Sequence, residues 1–166
     1  MIVRWIVISA LIMWLAPQSR YVFAEIVTEY LPLTAGNFWT YSVVGNYGTY
    51  DTTVKVLQGT TTINGVQTKA LKRLGGPFNG GIEYWTNDAK GIRVHRAYLP
   101  DSEAGPGSVT FNPPMVLANR DMSISESVNS NGKAIFTFRY YGTFILDYES
   151  SHKVARIETI SVPATL

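Results

Sequence analysis

Residues 133–149 read KAIFTFRYYGTFILDYE, and their alternation decides the fold class. Phe136, Phe138, Tyr140, Phe144, Leu146 and Tyr148 share one parity. Thr137, Arg139, Tyr141, Thr143, Asp147 and Glu149 share the other. Successive side chains of a strand point to opposite faces, so this alternation marks β-structure with one apolar and one wet face. Ile145 is the apolar exception. Gly142 falls on the apolar parity, where a bend or bulge is expected. The segment is a pair of strands or one bent strand.

Working outward, the same signal recurs between turn residues, with no sustained helical period after Glu25. Phe38 to Val44 is aromatic and β-branched and is followed by Gly45-Asn46-Tyr47-Gly48. Thr49 to Gln58 places Val54 and Val56 on one face and Lys55 on the other. Thr60 to Ile63 and Val66 to Leu71 flank Asn64-Gly65, a hairpin signal because a type I′ turn needs positive φ at both central residues. Ile82 to Thr86 and Ile92 to Leu99 are strands separated by a turn at 87–91, with Gly91 as its left-handed residue. In the second of these, Ile92, Val94 and Tyr98 share a face opposite Arg93 and His95. Ser108 to Phe111 is expected to end at Pro113-Pro114, since proline cannot donate to a central ladder. Met122 to Val128 reads as a weak strand, with a turn at 129–132. Lys153 to Val162 is a last run whose faces cannot be assigned. Eight or nine short strands joined by local turns predict an all-β, antiparallel meander, built as a curved sheet, half barrel or sandwich.

The N-terminal residues have a different character. Eighteen of the first 24 are apolar, and Trp5 to Ala16 is interrupted only by Ser9. Arg4 precedes this run, and Val22-Phe23-Ala24 has the small-x-small form of a cleavage site. These are the parts of a helical signal peptide over residues 1–24, cut after Ala24. The run is short of the roughly 20 apolar residues that a membrane helix needs. An uncleaved membrane anchor is the alternative. Residues 25–166 then form a single β-rich extracytoplasmic domain, periplasmic or secreted, with no stable membrane span. The formal charge of +2 on 166 residues comes from Arg4 and Arg20, and the rest balances 12 basic against 12 acidic residues. A neutral domain gives no reason to expect nucleic acid as a partner. Absence of cysteine excludes disulfides, thiolate metal sites, a cysteine nucleophile and a lipid-modified N-terminal cysteine.

The segment from Tyr30 to Tyr41 reads Y-L-P-L-T-A-G-N-F-W-T-Y. It resembles a Y-x-P-L-x-x-G-N-x-W-x-Y opening found in exported bacterial proteins and lipoproteins. The turns at 59–65 and the strand Glu83-Tyr84-Trp85-Thr86-Asn87-Asp88 are similar to that group as well. The resemblance covers roughly Tyr30 to Pro114. It implies an extracytoplasmic β-domain similar in outline to LolA-like or lipocalin-like half barrels, and it brings no catalytic residues. Proteins of this kind continue with further strands beyond a hairpin such as Ile157 to Pro163. A C-terminal truncation would leave an edge strand open to self-association.

No residue constellation points to an enzyme. His95 and His152 lack metal-ligand spacing, and no G-x-S-x-G or nucleotide-binding loop occurs. Asp147 with Glu149, and Asp101 with Glu103, are carboxylate pairs read more simply as solvent-facing charges. No catalytic residue, metal or cofactor is expected. The aromatics are the enriched feature, and they either fill the core or stack on a ligand. Trp39, Tyr41, Trp85, Phe138, Arg139 and Tyr141 are the candidate ligand-binding residues. The sequence therefore predicts a non-enzymatic exported β-domain that binds an apolar or amphipathic, lipid-like ligand on a concave sheet face. It would do so in an apolar concavity of a few hundred Å³ bordered by residues such as Trp39 and Phe138. The alternatives are an envelope assembly module using an open edge strand, and a small carbohydrate-binding module with a glycan ligand.

Overall fold

The computed structural model describes residues 31–45, 48–100, 105–123 and 125–153. Among the described residues there are nine strands and no helix. They are β1 (Phe38–Gly45), β2 (Gly48–Val56), β3 (Thr61–Ile63), β4 (Val66–Leu74), β5 (Ile82–Asp88), β6 (Gly91–Leu99), β7 (Gly107–Ala118), β8 (Ser127–Phe138) and β9 (Gly142–Lys153). All pair antiparallel in one open sheet of order β1-β2-β4-β5-β6-β7-β8-β9, with β3 hairpinned onto β4. A single sheet replaces the sandwich alternative. The leader, the Asp101–Glu103 pair and the run after Lys153 lie outside the described residues.

One face can be followed across the ladder by register. Trp39 faces Val54, Val56 faces Leu71, and Leu71 faces Glu83. Beyond β5, Trp85 faces Val94, Val109 faces Phe136, and Ala134 faces Leu146. Val54, Val56, Leu71, Trp85, Val94, Met115 and Leu117 are buried in the core on this face. Lys55, on the opposite parity, is exposed, as its position between two buried valines requires.

Turn chemistry sets the register. Asn64 and Gly65 have φ of 49° and 80°, the two positive values of a type I′ hairpin. Gly91 has φ of 110°, and a Cβ there would overlap the Ala118 carbonyl oxygen and the Asn119 backbone. Glycine is required there by both conformation and space.

Two expectations fail in β7 and β8. Strand β7 does not stop at Pro113-Pro114. Its ladder to β8 runs as far as Asn112 opposite Lys133, and its ladder to β6 resumes at Met115 opposite Val94. The prolines thus sit in the irregular stretch where neither ladder needs an N–H. The Pro113 carbonyl accepts a bond from the Tyr148 hydroxyl at 2.8 Å, which satisfies it. Residues 129–132 are not a turn but the middle of β8, and residues 122–126 precede the strand. Gly132 is there because a Cβ would overlap the Asn112 carbonyl and the Pro113 ring. An asparagine–glycine signal can mark close backbone approach as well as a hairpin. The real β8–β9 turn is Arg139 to Tyr141.

Replacing Gly65 by alanine is expected to cost about 1 kcal/mol, the penalty of the left-handed conformation. Gly91→Ala adds a backbone overlap and should cost clearly more. Urea unfolding with unchanged m-values would compare the two, and equal midpoints for both variants would contradict this account.

Candidate functional site

The core closes one end of the apolar face, while the other end holds a cavity of about 480 Å³. Its wall draws on every long strand: Tyr41 of β1, Thr52 of β2, Arg73 of β4, Glu83 of β5, Ala97 of β6, Phe111 of β7, Phe136 of β8 and Tyr148 of β9. The volume is in the range of small-molecule sites. The two sides of the wall differ in character.

On the β6 to β9 side the wall is mostly aromatic and aliphatic. Phe136 stacks on Phe144 with centroids 5.1 Å apart, and Phe111 meets Tyr148 edge-on at 5.3 Å. Tyr148 is fixed at its polar end, where its hydroxyl contacts Pro113 O and lies 3.2 Å from Ser130 Oγ. Ser130 Oγ in turn accepts the Val116 N–H. These bonds hold the tyrosine ring against the cavity.

On the β1 to β5 side there is a polar patch. Arg73 and Glu83 belong to the apolar parity of their strands, beside Leu71 and Trp85. Arg73 donates through Nε and Nη2 to the same oxygen, Glu83 Oε1, at 2.9 and 2.7 Å. Trp85 Nε1 donates to Glu83 Oε2 at 2.9 Å. Both carboxylate oxygens are therefore engaged. The two charged side chains are only 12% and 18% exposed, so the pair is largely withdrawn from water. Tyr41, opposite Thr52, lies within the field of both charges. Burial raises its phenol above the ordinary value of 10.0, with Arg73 opposing and Glu83 adding to the rise. The hydroxyl stays protonated and can donate.

The two histidines have different surroundings. His95 keeps to the side of Thr86 and Arg93, register partners on the face away from Trp85 and Val94, as its parity predicts, and it is buried there with Nε2 3.1 Å from Thr86 Oγ1. The ladder shifts on either side of this residue, between Tyr84 and Trp85 on β5 and between Val94 and Arg96 on β6. His152 borders the cavity, and its buried Nε2 has no hydrogen-bond partner among the described residues. Among the described residues, no group of three His, Asp or Glu sits close enough to hold a metal ion.

The candidate residues separate as follows. Tyr41 borders the cavity. Trp39 packs against the core, and Trp85 is buried within it, beside a void of about 20 Å³. Phe138 is buried beside the stacked Phe136–Phe144 pair, in the space left by the missing side chain of Gly107. Arg139 and Tyr141 lie in the exposed β8–β9 turn, where the Arg139 guanidinium sits 5.9 Å from the Tyr140 ring centre. Arg73, Glu83, Tyr148 and His152 were not among the candidates. The signal that could have found the first two is a charge on the apolar parity of a strand, at Arg73 after Leu71 and at Glu83 before Trp85.

No protein-family model matches the chain, and neither a curated protein nor a solved structure resembles it significantly.

Burial holds both imidazoles below the ordinary value of 6.5, with Arg93 also lowering His95 and Asp88 opposing. The folded state therefore resists protonation. As pH falls through 6.5 the unfolded chain takes up protons first, so folding stability falls from there downward. Urea unfolding between about pH 7 and pH 5 should show this loss. A His95→Gln/His152→Gln double variant should show a shallower dependence. An identical slope in the wild type would rule the histidines out as its source.

Proposed function

We propose that the protein is a non-enzymatic, exported β-domain that binds an apolar or amphipathic small molecule in the 480 Å³ cavity. The observation that carries this reading is that side chains from both ends of the strand order border one cavity. Laid flat, eight strands at about 4.8 Å spacing would separate β1 from β9 by roughly 34 Å. Side chains of Tyr41 and Tyr148 reach a common space when the sheet bends round it as a half barrel. The wall is mainly apolar with a few placed polar groups, the usual composition of a small-molecule site. Export is supported by the signal-peptide pattern of residues 1–24, and an extracytoplasmic half barrel agrees with the resemblance carried by Tyr30 to Tyr41.

A second reading, an assembly module, has one observation in its favour. Strand β9 is a sheet edge with Phe144, Ile145 and Leu146 exposed at 39%, 59% and 43%. Such an edge can accept a further strand. Asp147, Glu149 and Lys153 interrupt it with charge, which disfavours indiscriminate pairing.

The test uses N-phenyl-1-naphthylamine, an uncharged apolar fluorophore. Its emission should rise saturably with one site per chain. Ala97→Phe, which places a ring into the cavity between Glu83 and Val109, should weaken binding by about tenfold or more while leaving the β-sheet circular dichroism in place. Failure of the wild type to bind the probe, or full binding by Ala97→Phe, would overturn the reading.

A further inference from the structure

The polar patch says what kind of head group the cavity accepts. Arg73 has five N–H donors, and its bonds to protein use two of them, both on Glu83 Oε1. Glu83 has no oxygen left over, since Trp85 occupies Oε2. The Tyr41 hydroxyl makes no hydrogen bond to the described residues and remains protonated. The interior of the cavity at this point thus offers chiefly donors, the unused Arg73 N–H groups and the Tyr41 hydroxyl, while both Glu83 oxygens are already engaged.

Charge then separates the acceptors that could sit there. Arg73 is already neutralised by Glu83. A second carboxylate on the same guanidinium would place two anions around one cation away from water, which is unfavourable. Arg73 is the one cation among the cavity-bordering described residues, against the carboxylates of Glu83, Asp147 and Glu149. His152 adds no positive charge near neutral pH, because burial keeps it deprotonated. Asp147 is bridged by Lys133, and both Asp147 and Glu149 lie on the exposed β9 edge. A cationic head could meet those rim carboxylates only in water, where ion pairs contribute little. In the interior it would face Arg73.

We propose that the cavity selects molecules whose head is uncharged and accepts hydrogen bonds, such as an ester, amide or hydroxyl on an alkyl body, and that Arg73 and Tyr41 hold that head. This rests on the binding reading above. Anions and cations of the same alkyl chain are discriminated against, so the ion pair acts as a specificity device rather than as a counter-ion site.

The experiment displaces N-phenyl-1-naphthylamine with monolaurin, laurate and dodecylamine, which share one alkyl chain and differ in head charge at about pH 8. Each is kept below its micellar concentration. Monolaurin should displace the probe at concentrations about tenfold below either charged ligand. Arg73→Gln/Glu83→Gln, which removes both charges, should narrow the preference to within about threefold, with each ligand read relative to the probe in that variant. Tyr41→Phe deletes one donor without touching charge, and should weaken monolaurin severalfold relative to the probe in the same variant. Laurate or dodecylamine competing as well as monolaurin would overturn the proposal while leaving cavity binding intact. A preference unchanged in both variants would overturn the roles of Arg73 and Tyr41. Absence of probe binding by the wild type would remove the binding reading itself.

Discussion

The constraint behind most features of this structure is that, among the described residues, its apolar sheet face has no second layer to cover it. A sheet with one hydrophobic face needs a partner, ordinarily helices or another sheet. Among the described residues there are no helices and one sheet. Among the described residues, the face bearing Val54, Leu71, Trp85, Val94 and Phe111 is covered mainly by the sheet's own side chains, with Leu31 and Leu33 from the segment before β1 packed against it. Large residues do this where the core is closed, with Trp39, Trp85 and Met115 packed together on it. Where smaller or polar residues take over, at Thr52, Ala97 and Ala134, the space is left open. The cavity is therefore the part of the face that no side chain of the described residues fills.

Bending a sheet of this width needs local interruptions of the ladder, and the interruptions are concentrated at β6 and β7. The ladder shifts beside His95 on both sides, and Phe111 to Pro114 have no register partner on β6. Bulges increase local twist and re-aim side chains. Here the proline stretch presents its carbonyl to Tyr148. Gly132 leaves room for that stretch from β8. Three features that look independent in the sequence, a proline pair, a glycine and a tyrosine, make one packing unit.

The all-β class and most of the meander were legible because parity and turn chemistry are local. Val54, Lys55 and Val56, the Asn64-Gly65 hairpin and Gly91 each carry their meaning within a few residues. The errors came where a local signal was answered by a distant partner. Pro113-Pro114 reads as a stop until the ladders of β6 and β8 are seen to avoid it. Asn131-Gly132 reads as a turn until Asn112 and Pro113 are found against it. The candidate site was legible as a face and less so as residues. Tyr41 could be named from parity alone. Arg139 and Tyr141 also shared a parity, but the chain turns at that point, and parity has no meaning within a turn. Arg73 and Glu83 were passed over because each is an ordinary surface residue until its neighbours, Leu71 and Trp85, place it on the inner face.

That pair also bears on the binding proposal. A buried ion pair is weak grounds for stability, since two apolar residues of similar volume often serve the fold as well or better. Leu71 and Trp85 show that the adjacent inward positions accept apolar side chains. Keeping Arg73 and Glu83 there costs desolvation, which the Trp85 bond to Glu83 offsets in part. The fold alone gives no reason for guanidinium donors on the inner face of an otherwise apolar sheet. A bound molecule with an acceptor at that end does, because it would complete the hydrogen bonding that the protein leaves unfinished.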